Sequence, residues 1–176
     1  MSERILEEIG RLPAVSQINE LLAERQQPIA VTGLSAMGRT LLCSLLATRR
    51  PLLIVCPGEE EVRRLQADLE GLGQAPLAVP YTDVVLHGVE GASREFMHQQ
   101  LGVLGRLLGG AAGPVLTTPD ALSQLLVPPA VLQGYTCTLS AGEDIALEAL
   151  LLLLVEAGYT RCDLVEGAGQ FAVRGG

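Results

Sequence analysis

Apolar runs and helical hydrophobic periodicity alternate along the first 127 residues of the chain. The opening segment has apolar residues at helical spacing and is predicted to be helical as far as Pro28. Short continuous apolar runs predict buried strands at residues 29–31, 51–56, 75–79 and 114–117. Helical patterns lie between these runs, at residues 40–48, 59–72, 93–108 and 119–126. Ser93 is the predicted cap of the third of these helices, and residues 80–92 are predicted to form an extended loop.

This alternation predicts an α/β fold. Strands that are apolar throughout and separated by helices are typical of a parallel sheet with helices on both faces. Val127-Pro128-Pro129 marks the best boundary, giving domains at residues 1–127 and 128–176. The second stretch predicts a strand at 135–139, a helix at 142–157 and strands at 159–165 and 170–174, which is a small, partial α+β subdomain. Because so short a stretch is little for an independent domain, we expect the chain to be part of a longer protein.

The segment from Gly33 to Thr40 has the spacing of a nucleotide-binding P-loop, G-x-x-x-x-G-K-[ST], with arginine in place of lysine. It lies between a predicted strand and a predicted helix, which favours a P-loop NTPase or helicase-like sheet. The guanidinium of Arg39 is a planar fork where a compact ammonium is needed. The chain contains no lysine that could replace it, and no acidic residue ends another strand convincingly. We therefore predict that Gly33, Gly38, Arg39 and Thr40 form a degenerate, inactive cofactor site; a small P-loop ATPase or kinase remains the alternative.

Composition narrows the classes of function. The net charge is −8, which disfavours non-specific DNA binding through many phosphate contacts, and direct DNA binding is a third possible function. No apolar run reaches the roughly 20 residues that span a bilayer, and the charged N-terminus lacks a signal-peptide pattern, so a cytoplasmic location without membrane contact is expected. Four scattered cysteines predict free thiols, and no metal site or catalytic residue is predicted. His87 and His98 are interpreted as ordinary surface or half-buried histidines.

Several segments together resemble a known family. They are IAVTGLSAMGRT, LLIVCPGEEEVRRLQADL, VLTTPDALSQLL and, most specifically, LLLVEAGYTRCDLVEGAGQFAVRGG near the end. The chain resembles the N-terminal UvrB-like module of the bacterial transcription-repair coupling factors (Mfd), although Gln170 stands where that family has glutamate. The resemblance implies a first subdomain with a decayed ATP site and the start of a second subdomain that recruits UvrA. It also implies a fragment without enzymatic activity or a cofactor of its own. The parent would be an ATP-dependent, helicase-like DNA translocase that uses ATP and Mg²⁺ and binds RNA polymerase and double-stranded DNA.

The partner surface is predicted at the end of the chain. Strand alternation puts Tyr159 and Arg161 on one face of their strand, and Arg174 on the face opposite Phe171 in the other. If the two strands pair, both arginines can lie beside Tyr159 on the solvent face, and arginine and tyrosine are enriched at interface hot spots. The resemblance implies that an arginine matching Arg174 and one near Arg161 contribute to the UvrA contact. A weak surface ion pair, of Arg161 with Asp163 or of Arg174, is the alternative.

Overall fold

The computed structural model describes residues 2–81, 90–142 and 144–174. The helices in these ranges are α1 (Ser2–Gly10), α2 (Pro13–Ala23), α3 (Ala36–Ala47), α4 (Glu59–Gly71), α5 (Glu90–Leu108), α6 (Pro119–Leu122), α7 (Pro129–Gly134) and α8 (Leu147–Glu156). The strands are β1 (Leu53–Val55), β2 (Leu77–Ala78), β3 (Val115–Thr117), β4 (Thr160–Arg161) and β5 (Gln170–Phe171). None of the described helices is both long enough and apolar enough to cross a bilayer.

The chain divides into two compact units that do not follow the sequence continuously. The first contains Met1–Val79 and Ala112–Leu122, and the second contains Pro80–Ala111 and Ser123–Gly176. This division by compactness falls at other positions than the predicted domain boundary after residue 127. That boundary stays a prediction. The two units are described separately below.

The first unit contains a small parallel sheet in the order β1-β3-β2. Helix α4 packs against β2 and β3, and its Leu65 and Leu69 meet Leu116 of β3 in a core in which Leu69 and Leu116 are fully buried. The predicted helix at 59–72 and the predicted parallel pairing are therefore confirmed. Three acidic residues in the first turn of α4 suit the positive end of its dipole.

Close approach of the backbone fixes one turn beside this sheet. A Cβ built on Gly113, just before β3, would lie 1.8 Å from the carbonyl oxygen of Ala75, just before β2. Only glycine allows the two segments to come this close, and the hydrogen bond from Leu77 N to Pro114 O (2.9 Å) follows directly.

Two strand predictions for the first unit are wrong, and the helix predicted at 119–126 ends at Leu122. Residues 29–31 form no strand, and Val31 is 43% exposed. An apolar run becomes a strand only where a neighbour accepts and donates its backbone hydrogen bonds, and no described strand pairs with this segment. Strand β1 was expected to be buried throughout, yet Leu53 and Val55 are about half exposed and only the alternate Ile54 packs on the core.

The second unit contains α5, α7, α8 and the parallel pair β4–β5. Helix α8 packs on β4, and α7 packs on α5. The last two strands pair, the condition on which the predicted partner surface depends, but each has only two residues and is much shorter than the predicted strands at 159–165 and 170–174.

Several predicted boundaries in this unit are corrected. The expected strand at 135–139 is absent and its residues are exposed; α7 precedes it instead, with Pro129 in the first helical turn, where proline is favoured. Helix α8 begins at Leu147 rather than at Gly142, whose φ of +88° is incompatible with a helix. Helix α5 begins at Glu90, so Ser93 lies inside the helix and does not cap it; most of the loop predicted at 80–92 lies outside the described residues.

Candidate partner-binding surface and the P-loop-like turn

The P-loop-like segment forms a glycine turn followed by a helix, but the helix begins four residues before the predicted start at Thr40, so Gly38 lies inside it. Gly33 has a φ of +78°, and α3 begins at Ala36 with Ser35 as its N-cap. The hydroxyl of Ser35 accepts a hydrogen bond from the backbone N–H of Gly38 at 3.1 Å. This N–H is one of the groups that would face phosphate in a working P-loop, and here a side chain of the turn already satisfies it.

Arg39 points to a carboxylate of α4. Its Nη2 lies 3.3 Å from Oε1 of Glu61, and Glu61 also accepts two hydrogen bonds from Arg64, at 2.6 and 2.9 Å. The hydrogen bonds from Arg64, with a smaller contribution from Arg39, lower the pKa of Glu61 to about 2. The positive charge at the P-loop lysine position is therefore already paired with a protein carboxylate.

Thr40 is enclosed as well. Its side chain is fully buried, and its Oγ1 lies 3.2 Å from Oδ2 of Asp68 and 3.3 Å from the carbonyl oxygen of Ala36. Asp68 also accepts a hydrogen bond from Nη1 of Arg64 at 3.0 Å. The hydroxyl that would hold Mg²⁺ in a working site thus joins α3 to α4 in this chain. No cluster of three or more potential metal ligands occurs among the described residues.

The predicted surface at the end of the chain is built on β4 and β5. Hydrogen bonds from Thr160 N to Gly169 O (2.8 Å) and from Cys162 N to Phe171 O (2.9 Å) join the strands. Arg161 and Arg174 are exposed, and Tyr159 is partly buried. Neither arginine forms an ion pair or hydrogen bond with another described side chain, so the alternative Arg161–Asp163 pair does not form there.

The strand register corrects the predicted arrangement of the arginines. Arg161 is paired with Phe171, and paired residues of neighbouring strands point to the same face of a sheet. Strand alternation therefore puts Arg161 on the face of Phe171, not on that of Ala172. Strand β5 ends at Phe171, so alternation does not fix the direction of Arg174, three residues later. Tyr159 directly precedes β4, and Arg161 is the last residue of β4. A shared face with Arg174 no longer follows from strand alternation.

The loop between the two strands is held by Gln170. Its Oε1 accepts hydrogen bonds from the backbone N–H groups of Glu166 (2.8 Å) and Gly167 (3.2 Å). In sequence, Gln170 is a departure from the related family, which has glutamate at this position. An amide oxygen makes the same two contacts that a carboxylate would, which explains why this departure is structurally mild.

Helix α5 supplies His98, which the sequence predicts only as an ordinary surface or half-buried histidine. The ring of His98 meets the ring of Tyr159 edge to face, with 5.8 Å between ring centroids and 73° between ring planes. Nothing in the spacing of two residues 61 positions apart could have indicated this contact.

Comparison with known proteins adds the family context. Residues 137–176 match the family model described as the UvrB interaction domain. The chain is 31% identical over 150 residues to the transcription-repair-coupling factor of Bacillus subtilis (strain 168), covering 83% of this chain and 13% of that protein. It is 33% identical over 149 residues to the factor of Mycobacterium tuberculosis (80% and 12%), and 30% identical over 177 residues to that of Myxococcus xanthus (94% and 15%).

The chain therefore spans about an eighth of the length of the curated relatives that it matches. The similarity covers both compact units and includes the segment that carries Tyr159, Arg161 and Arg174. By sequence, the chain is similar to part of the transcription-repair-coupling factors, and its residues 137–176 match the UvrB interaction domain.

Proposed function

We propose that this chain is a non-catalytic docking module that recruits UvrA and so links stalled RNA polymerase to nucleotide excision repair. The match of residues 137–176 to the UvrB interaction domain carries the proposal. The same segment holds two exposed arginines without ion-pair partners among the described side chains. An unpaired guanidinium gives up no internal ion pair when it binds an acidic group of a partner.

We place the contact at Arg161 and Arg174, with Tyr159 beside Arg161. Because the two arginines need not share one face, the partner would contact the end of the sheet where β4 and β5 stop. We further propose the helicase-like architecture and a boundary near residue 127 for the parent's first two subdomains. In this proposal the ATP-driven motor and the contacts to RNA polymerase and double-stranded DNA belong to the longer parent, acting in the cytoplasm.

The degenerate nucleotide site is part of the same proposal. Arg39 is paired with Glu61, Thr40 is buried against Asp68, and Ser35 occupies the N–H of Gly38. These three groups, which would contact phosphate or Mg²⁺ in a working site, therefore already have internal partners. These contacts weigh against the alternative of a small P-loop ATPase or kinase.

The test is equilibrium binding of UvrA to the 176-residue chain and to Arg161→Ala and Arg174→Ala. Each substitution is expected to raise Kd about 30-fold or more, because an interface hot spot contributes about 2 kcal/mol or more. Arg106→Ala, which removes an exposed arginine from α5 in the same unit, is the matched control and should leave Kd within about twofold. Unchanged Kd in both test variants would refute the proposed surface.

A further inference from the structure

We propose that His98 is a positioning residue for the partner surface: its ring fixes the start of both strands of the β4–β5 pair. The inference rests on the proposed function for its consequence in binding, but its structural part stands alone. His98 lies in α5, on a different element from the residues that it would position.

The ring of His98 contacts the residue that precedes each strand. On one side it meets Tyr159, which precedes β4, at a ring-centroid distance of 5.8 Å. On the other side lies Gly169, which precedes β5 and has a φ of +77°; a Cβ built there would come within 2.8 Å of His98 Nε2. The imidazole therefore lies against bare glycine backbone, and the positive φ angle favours glycine at this position.

These two contacts flank the first hydrogen bond of the sheet. The N–H of Thr160, the residue after Tyr159, donates to the carbonyl oxygen of Gly169 at 2.8 Å. An isolated two-stranded sheet is marginally stable, and this one has two residues in each strand. Packing from outside must therefore hold it. Helix α8 supports β4, while His98 touches the beginning of both strands.

The consequence reaches the proposed surface through the backbone. Arg161 follows Tyr159 by two residues, and its partner in the register is Phe171, two residues after Gly169. Loss of the imidazole would free the Tyr159 ring and loosen the pairing that orients Arg161. His98 would then affect partner binding without touching the partner.

The experiment compares His98→Ala, His98→Phe and the matched control Gln99→Ala, which removes the exposed neighbouring side chain on α5. The free chain is examined by NMR of the Tyr159 ring and the Arg161 guanidinium, and UvrA binding is measured in parallel. Tyr159 is one of three tyrosines, so Tyr159→Phe assigns its signals. His98→Ala should shift both sets of signals and weaken binding roughly two- to tenfold, the range of an edge-to-face aromatic contact. His98→Phe keeps an aromatic ring in place and should restore both; Gln99→Ala should change neither.

The inference is overturned if His98→Ala leaves the Tyr159 and Arg161 signals unchanged. It is also overturned if the substitution shifts these signals while Kd for UvrA stays as in the unsubstituted 176-residue chain. If the unsubstituted 176-residue chain does not bind UvrA, or if Arg161→Ala and Arg174→Ala leave Kd unchanged, the proposed function fails. The NMR comparison then still decides whether His98 positions the strand pair. If His98→Ala does not fold, His98→Leu replaces it, since leucine fills the space above Gly169 without an aromatic edge; it should shift the same signals, and unchanged signals there also overturn the inference.

Discussion

Thr40→Val is the sharpest test of the idea that the P-loop hydroxyl now ties α3 to α4. Valine has nearly the shape of threonine, so the fully buried site stays filled while the hydroxyl is lost. The substitution removes the hydrogen bond to Oδ2 of Asp68. In a nucleotide-binding protein the same change would impair Mg²⁺ binding; here we expect it to lower the stability of the free chain.

The magnitude follows from the geometry. The hydroxyl has one proton, which it shares between Asp68 (3.2 Å) and the carbonyl oxygen of Ala36 (3.3 Å), and both distances are longer than the usual O–H···O distance. Asp68 keeps its hydrogen bond from Arg64 after the substitution. A hydrogen bond to a charged acceptor contributes about 1.5–3 kcal/mol, so this long, shared one should contribute about 1 kcal/mol.

A double-mutant cycle with Asp68→Ala isolates this contact, because the loss of the Arg64 bond cancels between the two halves of the cycle. The free energy of unfolding is measured by urea denaturation followed by far-UV circular dichroism. Thr48→Val is the matched control: the same substitution in the exposed C-cap of α3, where the hydroxyl bonds only to the carbonyl oxygen of Leu45, should cost less than about 0.5 kcal/mol. A coupling energy near zero between Thr40 and Asp68 would refute the idea that their hydrogen bond stabilises the packing of α3 on α4.

Two further predictions concern the same network. Glu61 has a folded-state pKa of about 2 against an ordinary 4.5, so its contribution to stability is present above about pH 4.5 and is lost as pH falls towards 2. Glu61→Gln should therefore flatten the fall of the urea unfolding midpoint between these pH values, with exposed Glu60→Gln as the control. An unchanged profile would count against the pairing of Glu61 with Arg64 and Arg39. Arg39→Lys should not create an ATP site, because Thr40 remains buried against Asp68; equilibrium binding of labelled ATP with Mg²⁺ should show no tighter than millimolar affinity, and micromolar binding would revive the ATPase alternative.

The elements that the sequence predicted well are those whose pattern is reinforced by local signals. The helix at 59–72 has acidic residues at its start and apolar residues at helical spacing, and the structure has α4 at Glu59–Gly71. The runs at 51–56 and 114–117 became β1 and β3, which pair with each other. The run at 29–31 is as apolar as the other two runs, but no described strand lies beside it. A three-residue pattern does not show whether a neighbouring strand is available for pairing.

The P-loop-like turn was predictable in its backbone but not in its contacts. The spacing of Gly33 and Gly38 correctly indicated a turn before a helix. Glu61 and Asp68, the partners of Arg39 and Thr40, lie 22 and 28 residues further along the chain. Their positions around Arg64 do place all three on one face of α4, which was a readable signal. Which face of α4 would meet α3 depends on tertiary packing, so the pairing could not be read from the sequence.

The arrangement of the arginines at β4–β5 depends on the register between the two strands, which strand alternation alone does not give. Alternation gives two faces for each strand, but only the register says which faces coincide, and a shift of one residue exchanges them. Here Arg161 pairs with Phe171, so the common face with Ala172 does not form, although the two strands themselves were predicted and do pair. A partner that contacts both arginines must therefore approach beyond the last residue of β5, where Arg174 is free of the alternation. His98 acts at the opposite end of the same two strands, so the position of Arg161 is set at the start of the sheet while the proposed contact lies at its end.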